Sequence, residues 1–465
     1  MSTAHHAAVT SELEAALPGI VQTDPVALER YREDRSGHRS AGVPLAVVHA
    51  RSIEDVQTLC RIASASHTPV VPWGAGTGLA GGAVSGTGEI VLSLAGMDRI
   101  LEISEENRLA VVQPGILNGD LNSVLADHGL WWAPDPVSKD ISTVGGNIAM
   151  NAGGLLCAKY GVTREAVLAL KVVLADGTLL EVGHRSVKGV TGYDLTALII
   201  GSEGTLGIIV ECTLKLRPAV PGHLATFSAY FDTVEDAAAA VTRVMAQGHV
   251  PAILEMMDAP TLEYALNYLG QEVSGRDQVY LVGQCDGGSA EDDARAIAAI
   301  LTEAGGDVRV TADADEGEAM VGVRRAAFPG LESVGTVLVE DIAVPRDRMV
   351  EAFAAIRGIE AKHDVFIPTT CHAGDGNLHP TFVFQGDDVP QAVWDAANEM
   401  FSMALDLGGT LTGEHGIGLL KRAWLEEELG EEQFRIQRRI KDVFDPLGIL
   451  NPGKVFAPDA EAASA

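Results

Sequence analysis

Apolar positions follow two rhythms along the chain. From Pro44 to Pro218 they come in short runs: PLAVVHA, PVVPWG, EIVLSL, LAVVQPG, AVLALKVVLADG, TALIIGS and TLGIIVECTLKLRP. Glycine-rich turns separate these runs, and short apolar runs bounded by turn residues predict strands. Between the first two lies SIEDVQTLCRIASASH, whose spacing predicts a helix capped by Ser52. Residues 1–40 read as helical and peripheral, and Asp24-Pro25 before VALERYRED predicts a capped helix start. After Pro218 the rhythm changes. HLATFSAYF and DQVYLVGQC alternate as strands, while VEDAAAAVTRVMAQG and AEDDARAIAAILTEAG have helical spacing. This predicts a second α+β domain around an antiparallel sheet flanked by helices. Residues 386–407 predict another helix. The stretch from Lys421 to Phe456 reads as helical until Asn451-Pro452-Gly453 stops it, and PDAEAASA reads as frayed.

A chain of 465 residues is too long for one ordinary core, so two or more domains are expected. The formal net charge of −31 argues against nucleic acid and against an anionic membrane surface. An anionic substrate then needs a local basic pocket. Five cysteines, Cys60, Cys157, Cys212, Cys285 and Cys371, show no paired spacing, which fits a reducing compartment and no iron–sulfur centre. The opening residues show no secretory pattern and no apolar run reaches the length of a membrane span. The expectation is a soluble, cytoplasmic protein.

Three glycine-rich stretches stand out: PWGAGTGLAGG (72–82), STVGGNIAMNAGG (142–154) and VTGYDLTALIIGSEGTLGIIVE (190–211). Small residues let backbone N–H groups converge on an anion such as a pyrophosphate. The first stretch lacks the spacing of the common dinucleotide fingerprint, and alone it reads equally well as a structural loop. Three such loops in one domain point to a function.

The stretch CHAGDGNLHP (371–380) places His372 and His379 symmetrically about Asp375-Gly376. If that pair forms a hairpin turn, the two imidazoles lie directly opposite each other on one face. TGEHGIG (412–418) adds Glu414 and His415, which point to opposite sides if the chain is extended there. Two histidines and a glutamate suit a divalent transition metal, with His415 left to face a substrate as a base. Surface histidines beside a turn are the alternative. Cys371 reads as structural, and Asp375 and Asn377 as turn formers, with substrate contact by Asn377 left open.

The order PWGAGTGLAGG, PDPVSKDISTVGGNIAMNAGG, KGVTGYDLTALIIGSEGTLGI resembles the FAD-binding domain of the vanillyl-alcohol-oxidase type flavoproteins. With CHAGDGNLHP, GEHGIG and NPGKVF, it is similar to their D-2-hydroxyacid dehydrogenase branch: D-lactate dehydrogenases, the D subunit of glycolate oxidase and D-2-hydroxyglutarate dehydrogenases. The resemblance implies a two-domain α+β flavoprotein. Residues 1–218 would bind FAD, 219–420 would form a substrate domain carrying the metal site, and 421–465 would return to the FAD domain. It assigns cofactor contacts to Pro72, Gly74, Ala75, Gly76, Thr77 and Gly78. The second loop contributes Thr143, Gly145, Asn147, Asn151 and Gly153. The third contributes Gly204, Thr205 and Ile209, and the tail contributes Asn451. Gly76-Thr77-Gly78 offers no histidine for a covalent link, so non-covalent FAD is expected. The metal, zinc or manganese with iron and cobalt also open, falls to His372, His379 and Glu414.

The chemistry that follows is oxidation of a D-2-hydroxy acid to a 2-oxo acid. His415 accepts the hydroxyl proton, a metal acts as Lewis acid and the flavin takes the hydride. Arg324, in MVGVRRAAF, matches the family's carboxylate-binding arginine, with Arg325 competing for the role. Relatives acting on dicarboxylates carry a lysine just upstream of the position of Asp341; Val339-Glu340 stands here, which favours D-lactate or glycolate over D-2-hydroxyglutarate. Electrons must then leave to a quinone, a cytochrome, an electron-transfer flavoprotein, a partner subunit or oxygen. Two rival readings are a metal-dependent hydrolase, which leaves the glycine loops unexplained, and a non-catalytic flavoprotein subunit, which leaves His415 without purpose.

Overall fold

The computed structural model describes residues 3–271, 278–386 and 388–457. The end read as frayed, 458–465, lies outside them. The chain divides into two units. The first comprises Met1–Gly153, Gly161–Ala219 and Glu414–Ala465; the second comprises Gly154–Tyr160 and Val220–Gly413. Residues 414–420, read from the sequence as part of the substrate domain, cluster with the first unit.

The first unit holds two main sheets. In one, Ile90–Ser93 runs parallel to both Ala46–His49 and Val70–Trp73, and Val21–Gln22 adds an antiparallel edge. All four residues of Ile90–Ser93 are buried, as expected of a parallel strand covered on both faces. The crossover helix Ile53–Ser66 starts where the pattern predicts. Ser52 accepts the Asp55 N–H while Asp55 accepts the Ser52 N–H, a reciprocal cap. The far end of the chain joins this sheet, with Leu450 bridging Val70 in parallel. The other sheet is antiparallel, in the order Ile100–Ser104, Leu109–Val112, Ile208–Lys215, Val167–Val173, Leu179–Gly183.

One glycine stretch is more regular than its composition suggests. Residues Val144–Met150 form a helix, with Thr143 at its N-cap and Asn151 left-handed at its end. Two consecutive glycines are poor helix formers, and the caps at both ends offset them.

The second unit is built on an eight-stranded antiparallel sheet. Its order runs Asp307–Thr311, Ala225–Phe231, Val279–Cys285, Ile253–Met257, Thr369–His372, Asn377–Phe384, Thr336–Val339, with Ile342–Ala343 also on Asn377–Phe384. Met257, Tyr280 and Val282 pack against Leu262, Leu266, Val321 and Ala327 from the helices Ala259–Tyr268, Ala314–Arg325 and Ala327–Glu332. The helices Val234–Ala246 and Ala290–Glu303 start where their spacing predicts and end just before the glycines that close those stretches. The short helix Cys157–Tyr160 also belongs to this unit, where Lys159 and Tyr160 both bond to Asp286.

Candidate active site

Segments far apart in sequence converge within the first unit. Gly74 follows the strand Val70–Trp73, and a Cβ there would lie 2.5 Å from Thr143 Oγ1. Thr143 Oγ1 in turn accepts the Gly146 N–H at 3.2 Å. Gly204, at φ +70°, lies against Pro72. Asn451 donates from Nδ2 to the carbonyls of Gly82, at 2.9 Å, and Glu203, at 2.7 Å. Gly418 presses on the Ala80 carbonyl with no room for a side chain. All three glycine loops and the tail are thus brought together.

The remaining cofactor candidates take several places. Ala75, Gly76, Thr77 and Gly78 continue the first turn, with Gly76 at φ +70° against the Trp73 ring. Gly145 donates to the Pro114 carbonyl, and Asn147 lies on the same helix. Asn151 Oδ1 accepts the Arg164 N–H. Gly153 packs on Glu414, and Thr205 donates to the Ser202 carbonyl. Ile209 differs from the rest, packing within the apolar core.

Three polar atoms around these loops are buried without a hydrogen bond. Asn147 Nδ2, Asn451 Oδ1 and Ser142 Oγ are buried with no hydrogen-bond partner among the described residues. Leaving such groups unmade is costly, about 1–3 kcal/mol each. Lys454 is 4% exposed. Burial lowers its pKa, Arg422 lowers it further, and Glu89 and Asp34 oppose the shift. Orphaned amides, close backbone and a buried cation fit an anionic dinucleotide.

Glu203 was not singled out in the sequence, although it sits between the glycines of GSEGTLG. It is fully buried, accepting the Ile417 N–H at 2.7 Å and the Gly418 N–H at 2.8 Å. Burial pushes its carboxyl up to about 7, against the pull of those two N–H groups. It fixes the turn that follows Glu414 and His415.

In the second unit the histidine hairpin has a different register from the one expected. His372 pairs with Asn377, and Thr370 with His379. The loop is Ala373–Gly376, with Asp375 and Gly376 both donating to the His372 carbonyl. Four loop residues replace the expected two, because Asn377 belongs to the strand. The histidines are therefore diagonal neighbours. They still share a face, with ring centroids 5.0 Å apart and planes at 86°.

Acidic groups surround that pair. Glu255 pairs with His372 across the sheet, and its Oε1 lies 2.6 Å from His372 Nδ1. Its Oε2 accepts from Arg324 Nε at 3.1 Å. The terminal nitrogens of Arg324 have no hydrogen bond among the described residues, although its side chain is only 14% exposed. Arg325 turns outward and pairs with Glu318. On the other side, Asp341 accepts from Asn377 Nδ2 at 2.6 Å and Thr412 Oγ1 at 2.5 Å, and lies 3.8 Å from His379 Nδ1. Asn377 is thus a buried strand residue holding Asp341. Cys371 faces away from the histidines, buried and unpaired with any other cysteine.

Glu414 and His415 lie in the first unit. The chain bends there, so the expectation of opposite-facing side chains fails: His415 Nε2 lies 3.9 Å from Glu414 Oε1.

Residues 220–455 match the family described as FAD linked oxidases, C-terminal domain, and residues 44–183 match the FAD binding domain family. The chain belongs to the FAD-linked oxidases. This FAD-linked oxidase is 41% identical to the glycolate oxidase subunit GlcD of Bacillus subtilis (strain 168), over 90% of each chain. It is 36% identical to a D-lactate dehydrogenase of Anaerostipes hadrus, over 92% of each. Its fold is that of p-cresol methylhydroxylase, with a TM-score of 0.80 at 16% identity, covering 98% of both chains. A 4-ethylphenol oxidase from Gulosibacter chungangensis is similar, at TM-score 0.77 and 19% identity over 99% of both. Among the described residues, no helix of this FAD-linked oxidase is long and apolar enough to cross a membrane.

Proposed function

We propose that this FAD-linked oxidase converts a short D-2-hydroxy acid, D-lactate or glycolate, to its 2-oxo acid and passes the electrons to an external acceptor. The observation that carries the reading is the pairing of His372 and His379 on one sheet face beside an arginine with unpaired terminal nitrogens. Relatives named as a glycolate oxidase subunit and a D-lactate dehydrogenase support the substrate class. The name of the first also supports a partner subunit as one acceptor.

The donor set suits a divalent transition metal. Glu255 occupies His372 Nδ1, which makes Nε2 the ligating nitrogen. His379 is the second ligand, and the GEHG motif supplies Glu414 as the third. Non-covalent FAD is assigned to the glycine loops, Asn147 and Asn451. When bound, FAD supplies the hydride acceptor and the cation a Lewis acid.

The chain's own residues carry the remaining tasks. Arg324 clamps the substrate carboxylate through its terminal nitrogens. The His415 imidazole takes the hydroxyl proton, and Glu414 beside it stabilises the imidazolium that results. Val339 adds no cation for a second carboxylate, so a monocarboxylate is the preferred substrate.

Anaerobic flavin bleaching across D- and L-2-hydroxy acids, with and without chelator, tests this. D-lactate or glycolate is expected to bleach the flavin faster than the L-acids, and chelation to slow the reaction. His379→Ala should lose metal and turnover while keeping FAD. Preference for an L-acid, faster reaction with D-2-hydroxyglutarate, or indifference to chelator would overturn the reading.

A further inference from the structure

One buried carboxylate in the second unit touches both a proposed metal ligand and the proposed substrate clamp. Glu255 is 1% exposed. It sits on Ile253–Met257, directly across from His372 on one side and Val282 on the other. The residues around it on the strand are Leu254 and Met256, both buried. A lone carboxylate in such a run costs several kcal/mol unless paired, and this one divides its two oxygens. Oε1 engages His372 Nδ1 at 2.6 Å, and Oε2 engages Arg324 Nε at 3.1 Å.

That division has geometric consequences for each partner. The bond to Nδ1 sets the tautomer and the rotation of the His372 ring, which makes Nε2 the nitrogen assigned to the metal. The bond to Nε fixes the plane of the Arg324 guanidinium and leaves its outer edge, the two terminal nitrogens, to meet a carboxylate as a fork. Arg324 reaches the sheet from the last turn of Ala314–Arg325. Gly317, Val321 and Arg324 follow the spacing of one helical face. Arg325 lies off that face and pairs elsewhere.

We propose that Glu255 is the positioning residue that couples metal binding to substrate-carboxylate binding. It orients the ligand His372 and the clamp Arg324 as one unit, so that each site is weakened when the other is disturbed. The inference rests on the roles given to His372 and Arg324 above. Linkage then requires reciprocity: metal tightens carboxylate binding by the same factor that carboxylate tightens metal binding.

Glutamine at position 255 distinguishes this from a purely structural role. Its single carbonyl can accept from His372 or from Arg324, and its amide then faces the other donor. The experiment uses the full FAD-loaded chain with Glu255→Gln, Glu255→Asp, His372→Ala and Arg324→Ala. It measures zinc and manganese affinity by chelator competition, KM and kcat in anaerobic flavin reduction, FAD content and thermal midpoint. Glu255→Gln is expected to weaken metal by about tenfold or more and to raise KM by a similar factor, with FAD content unchanged. Glu255→Asp should recover part of both, since it keeps two acceptors. Arg324→Ala should raise KM strongly and weaken metal modestly through the shared carboxylate.

If both glutamate variants keep metal affinity and KM within about twofold of wild type while His372→Ala loses metal and Arg324→Ala loses substrate, the coupling is refuted. Loss of metal without a rise in KM refutes it too. If instead His372→Ala keeps metal and Arg324→Ala keeps KM, the proposed function itself fails. Should Glu255→Gln fail to fold, the aspartate and Arg324→Ala variants decide the matter.

Discussion

Glu203 shows how one side chain can serve two opposed demands. Two backbone N–H groups favour its charged form, while complete burial disfavours it, and burial wins. Its carboxyl moves from an ordinary 4.5 to about 7 when folded. The folded state therefore binds the proton more tightly than the unfolded state does. The stabilisation is complete below pH 4.5 and is lost as pH rises to 7. A shift of this size corresponds to roughly 3 kcal/mol. The FAD-free protein should accordingly lose thermal stability between pH 5 and 8. Glu203→Gln should flatten that slope while lowering stability at pH 5, because its amide faces a backbone N–H. The reading is a difference of thermal midpoints between the two proteins, since general charge repulsion affects both alike. Parallel pH profiles would contradict the assignment.

At the scale of elements, the turn after His415 is decided by one contact. Gly418 has φ +51° and presses on the Ala80 carbonyl. Gly418→Ala should cost about 1–3 kcal/mol in backbone strain alone, and the collision should loosen the first glycine loop. The expected result is a lower thermal midpoint and loss of FAD on gel filtration. Gly408→Ala is the control, with φ +78° but nothing within 4 Å, and should be strained yet keep FAD. Equal FAD content in both variants would overturn the role given to Gly418.

These contacts mark what a sequence can disclose. The glycine loops were legible because close backbone approach demands glycine in the chain itself, and the Ser52 cap because its partner lies only three residues away. The hairpin register was misread, since Asn377 looks like a turn residue until its amide is seen holding Asp341. Arg324 and Arg325 could be separated only by helical phase. Glu255 left one local trace, an acid within an apolar run. Its partners are 69 and 117 residues away, so local pattern could not supply them.

For the molecule as a whole, chain order and spatial order diverge. The first unit is drawn from three stretches of chain, and the second from two. The contacts that close the glycine loops join residues separated by most of the sequence, as with Asn451 and Gly82, 369 positions apart. Long-range closure of this kind is slow and exposes unfinished surface while it waits.

The bridge between Leu450 and Val70 carries a consequence for biosynthesis. On the ribosome, the strand Val70–Trp73 emerges well before its neighbour along this edge, which is made hundreds of residues later. That bridge can therefore form only after Leu450 has been synthesised. Nascent chains stalled before Ile449 should not retain FAD, whereas released chains that include Leu450 should; flavin fluorescence of the two populations after gel filtration would tell them apart. An equal flavin signal in both would show that the tail is dispensable for capture.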